Sequence, residues 1–366
     1  MSNGGTSKET LPSEILGELS RLCDDSRLVE YLTQRRRREG VVDLVMGELY
    51  REVLEGVTAL DSAVAAAYGI EPRQVISNYG SNGSIDTILV ASMASSRTKQ
   101  PSVQIANPTY YYFHKAALAR RFDVRTVDLC RFQLDTDAFI ARMREAAPSA
   151  IYLASPNNPT GCPVPDDELV AILDAMPEGT WGIVDRSLAN IQPEISTGDL
   201  LKRFADRPLV VLHSFSKYRR MAHLRVGVAL CSNGAMADRL APFRPLGNTV
   251  AGCFRAAEAV VSAGGIVPLP EVLGNIAANA ETAQRIAREG PNFQISPFTG
   301  NYALVQLSKG PETSILCRDL LQSHVAVVGG HEFPMPIPNA IRIQTAGDPA
   351  DFRRGLEILA QVVEAG

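Results

Sequence analysis

The chain has 366 residues, of which 45% are hydrophobic and 21% charged, and its formal net charge is −4. This length exceeds what one small core needs, so we expect two domains or one large domain with an appendage. The charge balance does not favour nucleic acid as a partner, and no apolar run reaches the length of a membrane span, so we expect no membrane association.

The cysteines and histidines indicate the compartment and argue against a metal site. The six cysteines are scattered without a CxxC pair, and the five histidines form no HExxH motif. A disulfide framework or a bound metal is therefore not expected. The polar N-terminal residues lack the apolar segment of a signal peptide, and together these patterns predict a cytoplasmic protein.

The predicted elements begin with a helix within residues 12–25, after a polar tail. Short apolar runs then alternate with amphipathic segments, which predicts an α/β fold with a mostly parallel sheet. The predicted strands of this sheet are residues 74–78, 102–106, 123–128, 150–154, 181–185, 209–213 and 226–231.

The pattern changes after about residue 260 and predicts a smaller α+β domain. Its predicted helices are residues 270–288, 313–323 and 350–364, and its predicted strands are residues 303–307, 325–329 and 340–344. We therefore divide the chain into an N-terminal tail and helix at 1–45, a large domain at 46–260 and a small C-terminal domain at 261–366.

Several loops follow predicted strands and carry residues suited to ligand binding. The stretch "NYGSNGS" from Asn78 opens a helix, where backbone N–H groups can bind an anion, although a tight strand–helix turn explains it equally well. The stretch "ANPTYYYF" at 106–113 can place an aromatic ring at the sheet edge, where ligands of open α/β sheets bind, although packing accounts for at least one of its tyrosines. The stretch "ASPNNPTGCPVP" at 154–165 is a dense turn with two asparagines.

Two further stretches carry charged residues. Asp185 ends the apolar run "GIVD", and a buried carboxylate needs a partner such as a protonated ring nitrogen. Lys217 lies in "SFSKYRRMAHLRVG" and is one of six lysines in a chain with thirty arginines. Neighbouring cations disfavour a charged amine, and a neutral amine can form a Schiff base with a carbonyl. Ser214 and Arg225 can bind a phosphate beside it.

The order of these motifs resembles fold type I enzymes that use pyridoxal 5′-phosphate. The chain is most similar to the histidinol-phosphate aminotransferase-like branch of the class I/II aminotransferases, from about residue 45 to the C-terminus. The resemblance implies a large domain with a mostly parallel sheet plus a smaller α+β domain. It also implies an aminotransferase that converts an amino acid or phosphorylated amine, with a keto acid as the other substrate.

The resemblance also implies a role for each matching residue. Lys217 forms the Schiff base and moves the proton at the substrate α-carbon, Asp185 pairs with the pyridinium nitrogen, and Asn158 donates to the ring 3-oxygen. Tyr110 stacks on the ring, and Arg342 binds the substrate α-carboxylate. The residues expected to hold the cofactor phosphate are Ser81, Asn82, Ser214, Ser216 and Arg225. Tyr50 reaches the phosphate of the neighbouring subunit, which implies a homodimer.

Three positions depart from the family pattern and leave the reaction open. Leu188 replaces a tyrosine that binds the ring 3-oxygen, Arg186 occupies a position where a small or acidic residue is common, and His223 replaces a glycine. Decarboxylation, elimination, racemisation or oxidation with the same cofactor remain alternatives to transamination. A catalytically silent binding protein on this fold is a further alternative, and the retained Lys217 and Asp185 argue against it. A nucleotide-binding protein that uses the Gly-Ser loop lacks a partner motif.

Overall fold

The computed structural model describes residues 47–365, except for residues 97, 99, 193, 246–249, 290, 291 and 334. The helix predicted within residues 12–25 lies outside the described residues, as does the proposed N-terminal unit at 1–45. The division of the chain into units at 1–45, 46–260 and 261–366 stays a prediction.

A seven-stranded sheet forms the larger part of the fold. Its strands are β1 (Val75–Asn78), β2 (Ser102–Asn107), β3 (Asp123–Asp128), β4 (Ala150–Ala154), β5 (Trp181–Asp185), β6 (Leu209–Ser214) and β7 (Gly227–Cys231). Their order across the sheet is β1-β7-β6-β5-β4-β2-β3, and β7 runs antiparallel to both of its neighbours. The neighbouring pairs among β2 to β6 are parallel, so the predicted mostly parallel sheet is confirmed.

Helices cover both faces of this sheet. They are α1 (Gly47–Tyr68), α2 (Gly80–Ser95), α3 (Tyr111–Ala119), α4 (Thr136–Ala146), α5 (Asp166–Asp174), α6 (Thr197–Arg203), α7 (Phe215–Tyr218), α8 (Gly234–Leu240) and α9 (Ala251–Ser262). The central strands β4 to β7 are buried along their whole length, which explains why their sequences are continuously apolar. One core lies on each face, with Phe139 in the first and Phe113 in the second.

A four-stranded antiparallel sheet follows, with its own core. Its elements are α10 (Pro270–Glu289), β8 (Phe293–Ile295), β9 (Tyr302–Leu307), α11 (Thr313–Gln322), β10 (Val328–Gly329), β11 (Ala340–Gln344) and α12 (Pro349–Ala365). The strand order is β10-β11-β9-β8, and the helices bury Ile276, Leu316 and Leu359 against the sheet. The predicted smaller α+β unit is present in this part of the chain.

The strand predicted at 325–329 is wrong over most of its length, because only Val328 and Gly329 pair with β11. The backbone N–H of Val325 donates to the carbonyl of Leu320 and therefore completes the end of α11. His324, just before it, adopts φ of 63°, a left-handed conformation typical of a helix end. The apolar run "VAVV" is thus divided between a helix cap and a strand.

None of the described helices is long and apolar enough to cross a membrane.

Candidate active site

The loops after the parallel strands surround a cavity of about 360 Å³ between the two sheets. Ten of the eleven residues predicted for the site line this cavity: Ser81, Asn82, Tyr110, Asn158, Asp185, Ser214, Ser216, Lys217, Arg225 and Arg342. The eleventh, Tyr50, belongs to α1, and its side chain falls outside the described residues, so its contact with a neighbouring subunit stays a prediction. The structure therefore brings together motifs that lie as far apart as residues 81 and 342.

One end of the cavity is the N-terminus of α2, where two glycines permit close packing. Gly80 has φ of 82°, and a Cβ there would lie 3.0 Å from a guanidinium nitrogen of Arg225. Gly227 allows β7 to approach the same turn, because its Cβ would lie 2.6 Å from the Gly80 carbonyl carbon and 2.7 Å from the Ser81 nitrogen. The first N–H groups of a helix have no partner within the helix, so this end of α2 can bind an anion.

Lys217 reaches the cavity because β6 leads directly into the single turn α7. The hydroxyl of Ser214 caps this turn by accepting a hydrogen bond from the backbone N–H of Ser216 at 3.2 Å. The two arginines that follow Lys217 closely in the sequence bind other groups. Arg219 donates to the carbonyl of Gly265, and Arg220 pairs with Glu271 at 3.1 Å. Arg225, by contrast, lines the same cavity as Lys217.

Asp185 lies at the buried end of β5 and receives two hydrogen bonds. The Tyr152 hydroxyl donates to one carboxylate oxygen at 2.8 Å, and the backbone N–H of Ser187 donates to the other at 2.9 Å. Tyr152 is itself held by stacking on Phe113, with ring centroids 3.9 Å apart. Burial raises the pKa of Asp185, and the two donors oppose this shift. A cationic group on a bound ligand would therefore stabilise the ionised carboxylate of Asp185.

Tyr110 lies between the cavity and the N-terminal turn of α2. Its hydroxyl donates to the side-chain oxygen of Asn82 at 2.8 Å, and the Tyr111 ring packs against it edge-on at 5.3 Å. Burial raises the pKa of Tyr110 above its ordinary range, so the phenol stays protonated near neutral pH. The ring is fixed in place and presents an aromatic surface to the cavity.

Arg342, on β11 of the smaller sheet, lines the same cavity. One of its nitrogens donates to the side-chain oxygen of Asn158 at 3.2 Å, which leaves the amide nitrogen of Asn158 available as a donor. Its guanidinium lies 4.4 Å from the ring centre of Tyr302 and 5.6 Å from that of Phe333. The Nζ of Lys217 lies 5.4 Å from the Tyr302 ring centre, so Tyr302 lies near both cations.

The three departures from the family pattern lie in different surroundings. Arg186 is buried, donates to the carbonyl of Ile195 at 2.7 Å and lies 3.6 Å from a carboxylate oxygen of Glu194. It therefore holds the loop that follows β5. Leu188 lines the cavity, whereas His223 is exposed on the turn before Arg225.

Sequence reasoning missed two residues of the site. Tyr152 supports Asp185, and its signal is a hydroxyl-bearing residue in the middle of the buried strand "AIYLA". Tyr302 lies beside Lys217 and Arg342, and its signal is an aromatic residue at the first position of β9. Neither signal alone distinguishes a site residue from a core residue.

The residues present fit pyridoxal phosphate. A buried carboxylate with no cationic partner among the described residues suits a protonated ring nitrogen. The glycine-lined end of α2 with Arg225 suits a phosphate, and Lys217 supplies an amine to the same cavity. Among the described residues, no cluster of histidine, cysteine or acidic side chains is suited to a metal ion.

Comparisons with known proteins agree with this geometry. Residues 53–359 match the family described as aminotransferase class I and II. A histidinol-phosphate aminotransferase from Vibrio vulnificus (strain CMCP6) is 27% identical over 255 residues, which cover 69% of this chain and 71% of that protein.

Solved structures share the fold. A histidinol-phosphate aminotransferase from Sinorhizobium meliloti, in complex with pyridoxal-5′-phosphate, aligns with a TM-score of 0.70 and 21% identity, covering 86% of this chain and 87% of that chain. An L-threonine-O-3-phosphate decarboxylase from Porphyromonas gingivalis aligns with a TM-score of 0.70 and 18% identity, covering 88% and 97%. At these identities the likeness shows the fold alone.

Proposed function

The chain belongs to the aminotransferase class I and II family, and from this premise we propose the roles of its residues. It is a pyridoxal phosphate-dependent aminotransferase that acts on an amino acid or a phosphorylated amine, with a keto acid as the other substrate. The observation that carries this proposal is the meeting of Lys217, Asp185 and Arg225 in one cavity.

Lys217 and Asp185 carry the reactive groups. When bound, the cofactor supplies an electron sink conjugated to the substrate nitrogen. Lys217 would hold the cofactor through Nζ, and its amine would move the proton at the substrate α-carbon. Asp185 would keep the ring nitrogen protonated, and the Tyr152 hydroxyl, by donating to the carboxylate, favours its ionised form against the effect of burial.

The phosphate and the ring are held by groups at the α2 end of the cavity. Arg225, the backbone N–H groups of α2 and the hydroxyls of Ser81, Ser214 and Ser216 are suited to a phosphate, and Asn82 lies in the same turn. Tyr110 provides the stacking surface, and its bond to Asn82 fixes the ring.

Arg342 and Asn158 act at the substrate end. A guanidinium presents parallel donors to a carboxylate, and the Tyr302 ring limits the orientations that Arg342 can adopt. Arg342 donates to the side-chain oxygen of Asn158, so the amide nitrogen of Asn158 would be the group that donates to the ring 3-oxygen.

Borohydride reduction of the holoprotein tests the attachment. We expect the cofactor to be covalently retained on the peptide that contains Lys217, as found by mass spectrometry. Lys217→Ala should lack the visible absorption band before reduction and should retain no cofactor after reduction, denaturation and dialysis. Lys115→Ala, which changes an exposed lysine on α3, should show the band before reduction and retain the reduced cofactor afterwards. A reduced adduct on a lysine other than Lys217 would contradict the assignment.

Product analysis tests the reaction itself. The Porphyromonas gingivalis protein with the same fold is named a decarboxylase, so fold alone does not distinguish the two reactions. We expect a keto product and the aminated cofactor after one turnover with an amino acid. Carbon dioxide with retention of the amino group in the product would establish decarboxylation instead.

The functional unit that we propose is a cytoplasmic homodimer. The five described cysteines are free, which supports a reducing compartment. The family resemblance places Tyr50 at the phosphate of the neighbouring subunit. Light scattering should give twice the chain mass of 39.5 kDa, and a monomer with full activity would contradict this proposal.

A further inference from the structure

Arg342 is held by an amide oxygen and two aromatic rings. One guanidinium nitrogen donates to the side-chain oxygen of Asn158 at 3.2 Å. The centre of the guanidinium lies 4.4 Å from the ring centre of Tyr302 and 5.6 Å from that of Phe333. None of these three partners carries a negative charge near neutral pH. They therefore hold the guanidinium without neutralising its charge.

The pairing of β9 with β11 places the Tyr302 ring beside Arg342. Leu304 lies opposite Arg342, and Tyr302 lies opposite Gln344. Tyr302 and Arg342 are therefore diagonal neighbours on one face of the smaller sheet, within reach of each other's long side chains. The backbone of Tyr302 also packs closely against the loop at Gly161, where a Cβ would lie 1.8 Å from its carbonyl oxygen. Backbone from both sheets thus fixes the position of this ring.

Phe333 approaches Arg342 from the chain that leaves β10. Val328 of β10 pairs with Arg342, and the short turn Gly330–Glu332 then leads to Phe333. The Phe333 side chain is buried, and it lines a small cavity together with Tyr111, the first residue of α3. The second ring is therefore held between the smaller sheet and a helix of the larger one.

An aromatic ring attracts a guanidinium whose centre lies within about 6 Å of the ring centre. The ring face does not occupy the N–H groups, whereas a carboxylate of the protein would bind them in pairs and compete with the substrate. Holding a long side chain in its binding orientation also removes an entropic cost of binding. We propose that Tyr302 and Phe333 are positioning residues, whose rings hold Arg342 in the orientation that binds the α-carboxylate of the substrate. This inference rests on the proposed role of Arg342 and adds two residues to it.

Two aminooxy compounds test the inference in the holoprotein without turnover. Aminooxyacetate carries a carboxylate and methoxyamine does not, and both react with the lysine-bound cofactor and change its visible band. The ratio of their second-order rate constants measures recognition of the carboxylate. It also cancels effects on Lys217, whose Nζ lies 5.4 Å from the Tyr302 ring centre. A band that methoxyamine leaves unchanged would refute the proposed function and with it this inference.

Three variants separate the ring from the space that it fills. Tyr302→Leu should lower the ratio of aminooxyacetate to methoxyamine rate constants about tenfold, because leucine fills much of the space without attracting a cation. Phe333→Leu should lower it about threefold, because the Phe333 ring is farther from the guanidinium. Tyr302→Phe keeps the ring and should leave the ratio within about twofold of its original value. Unchanged ratios in both leucine variants would overturn the inference.

The same substitutions in an Arg342→Ala background test whether the rings act through Arg342. Tyr302→Leu and Phe333→Leu should then cause no further decrease in the ratio, as a double-mutant cycle requires of residues that act together. Equal decreases in the two backgrounds would show that the rings act by another route, and the inference would fail. Urea unfolding of each variant checks that it is folded, and Phe333→Leu provides the comparison if Tyr302→Leu is not.

Discussion

Gly227→Ala should weaken cofactor binding by displacing the anion-binding end of α2. The new Cβ would lie 2.6 Å from the Gly80 carbonyl carbon and 2.7 Å from the Ser81 nitrogen, whereas ordinary contacts begin at 3.4 Å. Both atoms belong to the backbone, so the start of α2 must move by several tenths of an ångström. Overpacking of this kind costs about 1–3 kcal/mol, and we expect the cofactor dissociation constant to rise between about fivefold and about a hundredfold.

The assay is a titration of apoprotein with pyridoxal phosphate, followed by visible absorbance. Urea unfolding of the apoprotein measures separately how much of the cost falls on the fold. Gly252→Ala in α9 is the matched control, because its Cβ would meet no atom within 4 Å. If Gly227→Ala bound the cofactor as tightly as Gly252→Ala does, the phosphate would not lie at the N-terminus of α2.

Three further changes test the other groups. Arg342→Lys should raise the KM for amino acids about tenfold, since a bidentate donor pair is lost, and leave the cofactor spectrum unchanged; an unchanged KM would contradict the carboxylate role. Burial raises the pKa of Asp185 in the folded apoprotein above its pKa in the unfolded chain. The free energy of unfolding of the apoprotein therefore falls as pH rises through the raised pKa. A cationic group beside Asp185 offsets this decrease, so the cofactor should raise Tm more at neutral pH than at acid pH. Asp185→Asn should abolish this difference in the Tm increase. If the difference persisted in the variant, Asp185 would not be its source. Leu188→Tyr should lower the midpoint of the pH titration of the visible absorption band, because its hydroxyl adds a hydrogen-bond donor to an anionic ring oxygen. Leu188→Phe adds no donor and should leave the midpoint unchanged. Equal midpoints for the two variants would show that residue 188 does not reach that oxygen.

Most of the large sheet could be predicted because burial controls its sequence. The predicted bounds of β4 and β5, which are fully buried, agree with the structure. Those of β3 agree as well, although β3 is an edge strand and none of its residues is fully buried. The helix α1 and the short strand β8 were not predicted. In β8 three residues carry too little pattern to distinguish a strand from a loop.

The site residues that lie in a recognisable motif could be predicted from the sequence. Those that join the site only through the geometry of the fold could not. Lys217 and Asp185 stand in sequence contexts that indicate their chemistry. Tyr152 becomes a site residue only through the parallel pairing of β4 with β5, which brings its hydroxyl to Asp185. The direction of Arg186 likewise depends on the fold, because successive residues at a strand end point to opposite faces.

The loop that contains Gly161 joins the larger sheet to the smaller one and so restricts their relative movement. Its carbonyl accepts hydrogen bonds from the backbone N–H groups of Thr299 and Gly300, and a Cβ at Gly161 would lie 1.8 Å from the carbonyl oxygen of Tyr302. Tyr302, the first residue of a strand in the smaller sheet, therefore packs closely against a loop of the larger sheet. The two sheets cannot separate at this seam without breaking those bonds. The amides of Thr299 and Gly300 should consequently exchange with deuterium as slowly as those of the neighbouring strands, and the substrate end of the cavity behaves mechanically as part of the larger sheet.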